Sequence, residues 1–325
     1  MRNFIILLPL IFLCCKPNSR LLTDVISETS HQSAVIKYQV KEHEVSDMLK
    51  YLSSDELEGR ATGTAGMEKA AVYLEEFLKR NDVAPYFASY RDTLSNFKGT
   101  AYNIVGYIEG SDPILKKEFV LISGHYDHIG LAKTAVNGDF INNGANDDAS
   151  GTTAVAEMAK YFSVTKSNKR SVLFVFFVGE EKGLLGSKHL AKKLKEQNFN
   201  LYAQFNIEMI GVPMKRDYLA YISGFDKSNM ASKINQYTGK STIGFLRKEA
   251  ELRLFYRSDN YSFYDVFDVP CHSVSTFDFD NFDYYHHVSD EFKMMDMIHM
   301  TSFIQEMLPA VTEMTRTASR EIHMN

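Results

Sequence analysis

The 325-residue sequence contains no tryptophan and only three cysteines. So few cysteines exclude a disulfide-stapled scaffold, and the positions of Cys14, Cys15 and Cys271 matter more than their number. No apolar run approaches the ~20 residues needed to cross a bilayer. No stretch is strongly basic, and 36 Lys and Arg against 41 Asp and Glu leave a formal charge of -5, which speaks against a nucleic-acid footprint. What remains is ordinary globular usage, 45% hydrophobic and 24% charged, with 23 Phe and 18 Tyr supplying the aromatic core that tryptophan does not. A chain of this length buries roughly three quarters of its unfolded surface on folding.

The amino terminus reads as an address. Met1 and Arg2 are followed by an apolar run from Phe4 to Leu13, then Cys14, Cys15 and the polar segment Lys16 to Arg20. The run is too short to span a membrane and fits the core of a secretory signal. Because it ends at cysteine, it resembles a bacterial lipoprotein signal, in which the cysteine is lipidated and becomes the mature terminus; Cys15 is preferred to Cys14. The expectation is a signal over 1–15, a polar tether over 16–36 and one domain over 37–325. The protein would be exported to the periplasm or the outer membrane surface, with a lipid as its sole membrane attachment. Cys271, beside Val269-Pro270, is then a lone buried thiol.

Downstream, hydrophobic periodicity takes over. Val45, Met48, Leu49 and Leu52 mark one face of a helix, and Ala70, Tyr73, Leu74, Phe77 and Leu78 another, with Thr64 placed to cap it. Tyr102 to Ile108 is strand-like. Phe119 to Ile122, Val172 to Val178 and Phe205 to Ile207 are continuous apolar runs, the mark of strands buried on both faces. Helical stripes lie between them, at Val155, Met158, Ala159 and Phe162 and again from Leu184 to Leu190. Tyr218 to Ser223 and Pro270 to Ser275 are further strands, and Met300 to Val311 a final helix with a kink at Pro309. This alternation predicts an α/β fold of three layers, with ligands at the carboxyl ends of the strands.

That is where the unusual residues fall. The first buried run ends at His125, with Asp127 two residues on, where a carboxylate can orient a ligating imidazole. Asp147 and Asp148 stand in a glycine-bounded loop before a helix, a pattern that suits either a cap or a bridging metal ligand. The second run ends at Glu180-Glu181 and the third at Glu208. Far downstream come Tyr285, His286 and Asp290. Imidazole and carboxylate donors without thiolate suit zinc, and also cobalt or manganese. Five such ligands exceed one tetrahedral zinc and suit two. His128, His272 and His287 lie near these motifs and are expected to serve packing or local hydrogen bonding.

Taken in order, the motifs resemble those of the co-catalytic di-zinc aminopeptidase family, which shares its fold with glutamate carboxypeptidase and glutaminyl cyclase. The resemblance runs from Leu52-Ser53-Ser54-Asp55-Glu56-Leu57-Glu58-Gly59-Arg60 to His286 and Asp290. It implies a three-layer α/β/α zinc-exopeptidase domain with a mixed, mostly parallel central sheet. It also implies two zinc ions, held by His125, Asp147 and Glu208 and by Asp147, Glu181 and His286. Glu180 would be the general base, Asp127 would orient His125, and Tyr285 would donate to the oxyanion. The implied activity is removal of amino-terminal residues from a peptide substrate; cyclase-like or carboxypeptidase chemistry on the same fold, or a non-catalytic binding protein, are the alternatives. The chain departs from the family in having Glu208 where Asp is usual, and Asn260 where His is frequent.

Overall fold

The computed structural model describes Met1 and residues 37–325, so the expected signal, tether and lipidation cysteines lie outside the described residues. The first helix, α1 (Glu42–Leu52), buries the four residues that share its apolar face. Helix α2 (Ala65–Arg80) follows, with the Thr64 side chain accepting from the Met67 amide at 3.4 Å and so satisfying one of the free N–H groups of the first turn. Short strands β1 (Ala84–Pro85) and β2 (Arg91–Thr93) lead to β3 (Tyr102–Ile108) and β4 (Phe119–His125). A hairpin of β5 (Gly130–Val136) and β6 (Asp139–Asn142) stands apart from the main sheet.

Then α3 (Gly151–Thr165), β7 (Ser171–Phe177), α4 (Leu185–Glu196) and β8 (Leu201–Ile207) alternate. The chain continues through β9 (Ala220–Ile222), α5 (Met230–Thr238), β10 (Ile243–Gly244), α6 (Arg247–Leu252), α7 (Asn260–Phe267), β11 (Cys271–Ser275) and α8 (Met297–Arg316). Pro309, where the sequence suggested a kink, lies inside one continuous helix; it is on the exposed side, where the missing hydrogen bond faces water. Among the described residues no helix is long and apolar enough to cross a membrane.

The main sheet runs β1-β3-β7-β4-β8-β11-β9-β10, with β2 also paired to β3. Its centre is parallel, β4 lying between β7 and β8 and β8 pairing with β11, while β3 and β9 join antiparallel. Side chains alternate between two cores. Val172, Phe174 and Phe176 point into the larger one with α1, α2, α3 and α8, and Leu173, Val175 and Phe177 into a smaller one with α4 and α7. Helices therefore cover both faces, which is why these strands read as unbroken apolar runs. Cys271 is a buried free thiol in the smaller core. Residues Tyr38–Asn325 form one compact unit.

One buried cation ties the opening segment to this sheet. Arg60 is 1% exposed and, among the described residues, meets no carboxylate within ion-pair distance. Its guanidinium instead donates to four backbone carbonyls, those of Tyr126 (2.9 Å), Asn143 (2.6 Å), Gly144 (3.0 Å) and Leu52. Three of the four flank the loops that follow β4 and β6. Replacing Arg60 by Met strands these acceptors, each costing about 1–3 kcal/mol when buried without a donor. Urea unfolding of Arg60→Met should therefore show a loss of at least about 3 kcal/mol, with an unchanged slope.

Candidate metal centre and active site

The carboxyl ends of β4, β7 and β8 meet at one point. His125, the last residue of β4, is buried. Its Nδ1 lies 3.1 Å from the Asp127 carbonyl oxygen. A carbonyl can only accept, so in the neutral ring Nδ1 carries the proton and Nε2 keeps the lone pair that faces the site. That Nε2 is 3.2 Å from Asp147 Oδ1 and 3.9 Å from Glu208 Oε1.

Asp147 sits in an irregular helical turn, Ala145–Ser150, and its peptide bond to Asp148 is cis. Two other carboxylates hold this turn in place. Asp290 accepts from the amides of Asn146 (2.8 Å) and Asp147 (3.1 Å). Asp148 accepts from the amides of His125 (3.2 Å), Gly151 (3.1 Å) and Met209 (2.9 Å), joining the ends of β4 and β8 to the start of α3. A side chain at Gly151 would come within 2.4 Å of both Asp148 Oδ1 and the Ile207 carbonyl, so only glycine fits. With its backbone fixed, Asp147 turns its oxygens outward: Oδ1 toward His125, and Oδ2 toward His286 at 3.2 Å and His128 at 3.9 Å.

Beyond β7 the chain turns at Gly179 with φ 74° and presents Glu180 and Glu181. The Asp127 carboxylate receives the Glu180 amide at 3.3 Å and the Thr62 hydroxyl at 2.8 Å. Glu181 divides its oxygens, Oε1 lying 2.9 Å from His128 Nδ1 and Oε2 lying 3.1 Å from His286 Nε2. Glu208, one residue past β8, opens onto the same cavity. So does Tyr285, whose ring stacks on that of His286 with centroids 4.0 Å apart. The cavity measures about 410 Å³, within the range of small-ligand sites, and Tyr221, Ser223, Ser258 and Phe277 are among its walls.

The electrostatics call for a cation. Burial pushes Glu208 up to about 7. Burial also raises Glu180 well above the usual carboxylate range against the pull of His125, and the charges of Glu208 and Asp259 add to the rise. Asp259, buried with no partner for either oxygen, is likewise raised by burial to about 7. Burial would push His286 down, but its contacts with Asp147 and Glu181 outweigh this and hold it at about 10. His125 behaves the same way under Asp147 and Glu180. Burial and Asp147 push Glu181 up, yet the two imidazoles beside it win and hold it below its ordinary value.

Several buried donors here also lack partners. His125 Nε2, His128 Nδ1 and Nε2, and Glu181 Oε1 make no hydrogen bond, although three of these atoms lie near carboxylate or imidazole neighbours. Uncompensated buried polar atoms are costly, so their convergence fits a group that accepts several lone pairs at once. The sets His125, Asp147, Glu208 and His128, Asp147, Glu181 each bring three donor atoms within 4.8 Å of one another. The residues present thus fit one divalent cation on each side of Asp147.

Every residue singled out in the sequence for metal binding or catalysis lies in or against this centre, with two differences. Asp127 touches the His125 ring through its carbonyl; its carboxylate is 3.8 Å from Nδ1 and engaged elsewhere. His128, expected to serve packing or local hydrogen bonding, lies with Asp147 and Glu181 in one of the two donor clusters, whereas His272 and His287 make local hydrogen bonds, to Ser228 and Ser223 and to the Ser289 amide. The signal for His128 was its place three residues after His125, just past a buried strand end. Asn260 lies behind the cavity, accepting from Ser273 Oγ at 2.8 Å.

A doubly wound α/β domain with an imidazole and carboxylate centre at its strand ends defines a class of metal-dependent hydrolase folds. The fold agrees with that of Legionella pneumophila LapA aminopeptidase, at a TM-score of 0.68 and 19% identity over 86% of this chain and 72% of that one. It also agrees with that of Porphyromonas gingivalis glutaminyl cyclase, at 0.64 and 15% identity over 85% and 99%. Among curated sequences, a probable zinc metalloprotease of Pyrenophora tritici-repentis is 39% identical over 109 residues, 33% of this chain and 24% of that protein. Aminopeptidase YwaD of Bacillus subtilis is 30% identical over 147 residues, 45% of this chain and 30% of that protein. The chain thus spans 24% and 30% of the length of these two relatives. The model of peptidase family M28 matches residues 103–311, and the chain belongs to that family.

If the centre is a cation site, chelator-stripped protein should gain thermal stability when zinc or cobalt is added. Calorimetry at a hundredfold excess over Kd should show about 2.7 kcal/mol of added stability. Asp147→Ala should abolish that gain; a variant that retains it would place the ion elsewhere.

Proposed function

We propose that this chain is a zinc-dependent exopeptidase that removes amino-terminal residues from peptides. The observation that carries the reading is the pairing of a convergent, unpartnered donor set around Asp147 with a further carboxylate, Glu180, on the same cavity wall. Membership of a peptidase family and the aminopeptidase name of the Bacillus relative support it. His125, Asp147 and Glu208 would hold the first ion, and Asp147, Glu181 and His286 the second. Zinc held there would supply Lewis acidity toward the scissile carbonyl and toward water.

The remaining work falls to the chain. Glu180, raised by burial, accepts the proton of the attacking water and returns it to the leaving amine. Its backbone is held by the Asp127 carboxylate, so Asp127 positions the base and, through its carbonyl, sets the tautomer of His125. Tyr285 is kept neutral, its pKa raised by burial and by the charges of Asp147 and Glu181, and so remains a donor for the developing oxyanion.

Glu180→Gln should keep both metals by elemental analysis yet lose on the order of a hundredfold or more in turnover of aminoacyl-anilides. Full activity in that variant would refute the assignment. A panel of free-amine, amino-blocked and glutaminyl peptides separates the aminopeptidase reading, which requires cleavage of the free-amine set, from carboxypeptidase or cyclase chemistry.

We further propose that the protein is exported and lipid-anchored at Cys15 or Cys14, on the strength of the apolar run from Phe4 to Leu13 that ends at these residues. Mass spectrometry of the mature protein should find a lipidated cysteine at its amino terminus. An unmodified terminus downstream of Cys15 would overturn the anchor.

A further inference from the structure

We propose that His128 is a direct ligand of the second ion, giving it four protein donors, Asp147, Glu181, His286 and His128, against three for the first. The inference rests on the metal-centre reading above and extends it to a residue outside the five-ligand set.

The geometry is specific. His128 is 1% exposed. Its backbone is anchored on the opening segment, the amide donating to the Arg60 carbonyl at 3.3 Å and the residue bridging to Ala61. Its ring fills the space over Gly144, where a Cβ would come within 2.6 Å of ring carbons. Clamped in this way, the ring cannot swing out to water.

Nδ1 is 2.9 Å from Glu181 Oε1, a distance at which a hydrogen bond would be expected, yet neither atom is in one. Distance without alignment is not a hydrogen bond. Both atoms are buried without a hydrogen-bond partner, and leaving them unmatched is costly. A shared third partner removes the cost. Asp147 Oδ2, 3.9 Å from Nδ1, completes a triangle of donors around the space such an ion needs. The same two carboxylates serve His286 from the other side, its ring centroid 5.7 Å from that of His128. Glu181 therefore offers one oxygen to each imidazole.

An asymmetry follows. Three protein ligands leave room for water or substrate, whereas four close a tetrahedral shell. The second ion should be the more tightly held and fill first, and the first ion should be the exchangeable one.

The test uses the metal itself as readout. Zinc is titrated into chelator-stripped wild-type protein and into His128→Gln and His128→Asn, in competition with a chromophoric chelator. Wild type should take up two ions of unequal affinity. Both variants should weaken the tighter one by about tenfold to a hundredfold or more and leave the other unchanged. X-ray absorption on fully loaded wild-type protein, independent of any folding defect in the variants, should count three imidazoles over two zincs. Two ions with only two imidazoles, and variant affinities within about twofold of wild type, would overturn the role of His128 while leaving the di-metal centre intact. A wild-type protein that binds fewer than two ions would overturn the centre itself and His128 with it.

Discussion

Carboxylate crowding governs this molecule. Asp127, Asp147, Asp148, Asp259 and Asp290 are all buried, and Glu180, Glu181 and Glu208 stand beside them at the rim of one cavity. At a separation of 4 Å and an effective dielectric near 20, two like charges repel by about 4 kcal/mol. The fold answers in two ways. Asp127, Asp148 and Asp290 are taken up by backbone amides and a hydroxyl, which fixes them as struts of the loops. Asp147 and Glu181 meet imidazoles, and Glu208 lies between His125 and the Ser258 hydroxyl. The first group makes the second possible, because the amides it consumes are those that hold Asp147 and Glu180 in place.

That division explains what was legible beforehand. The core strands were, because a strand buried on both faces must be apolar throughout: Phe119 to Ile122 and Val172 to Val178 admit no charge until the sheet ends. A carboxylate or imidazole directly after such a run is conspicuous, so His125, Glu180, Glu181 and Glu208 stood out. The hairpin of β5 and β6 was not foreseen, since its largely exposed strands carry little hydrophobic pattern, although Asn137-Gly138, with φ of 54° and 90°, is a turn pair that marks such hairpins. Two- and three-residue strands at the sheet edges, such as Ala84–Pro85 and Ile243–Gly244, are set by tertiary pairing and have no periodicity to read.

Within the centre, residue type was more legible than atom. The sequence pairs His125 with Asp127, but not which oxygen meets the ring. The carbonyl does so at 3.1 Å, which frees the carboxylate to hold the Glu180 amide. One residue thus couples the tautomer of a ligand to the position of the base. Nor does spacing alone reveal Arg60, which acts on four carbonyls in three separate segments. Its charge faces Asp290, Asp127 and Asp147 without pairing to any of them, and burial lowers its pKa to about 10, still high enough to keep it charged at neutral pH.

Glu208 shows how the two sides of Asp147 differ. With one methylene more than the aspartate usual in the family, its carboxylate reaches into the cavity to 3.9 Å from His125 Nε2, rather than packing against the turn as Asp148 does. Were two ions bound, the His125 side would offer three protein donors and the other side, with His128, four; both sides open onto the pocket, which Glu208, Glu181 and His286 all line. The other side is braced by Glu181 between two rings. On the proposed role of His128, the same crowding would favour a tightly held ion on its side of Asp147 and an exchangeable one beside Glu208.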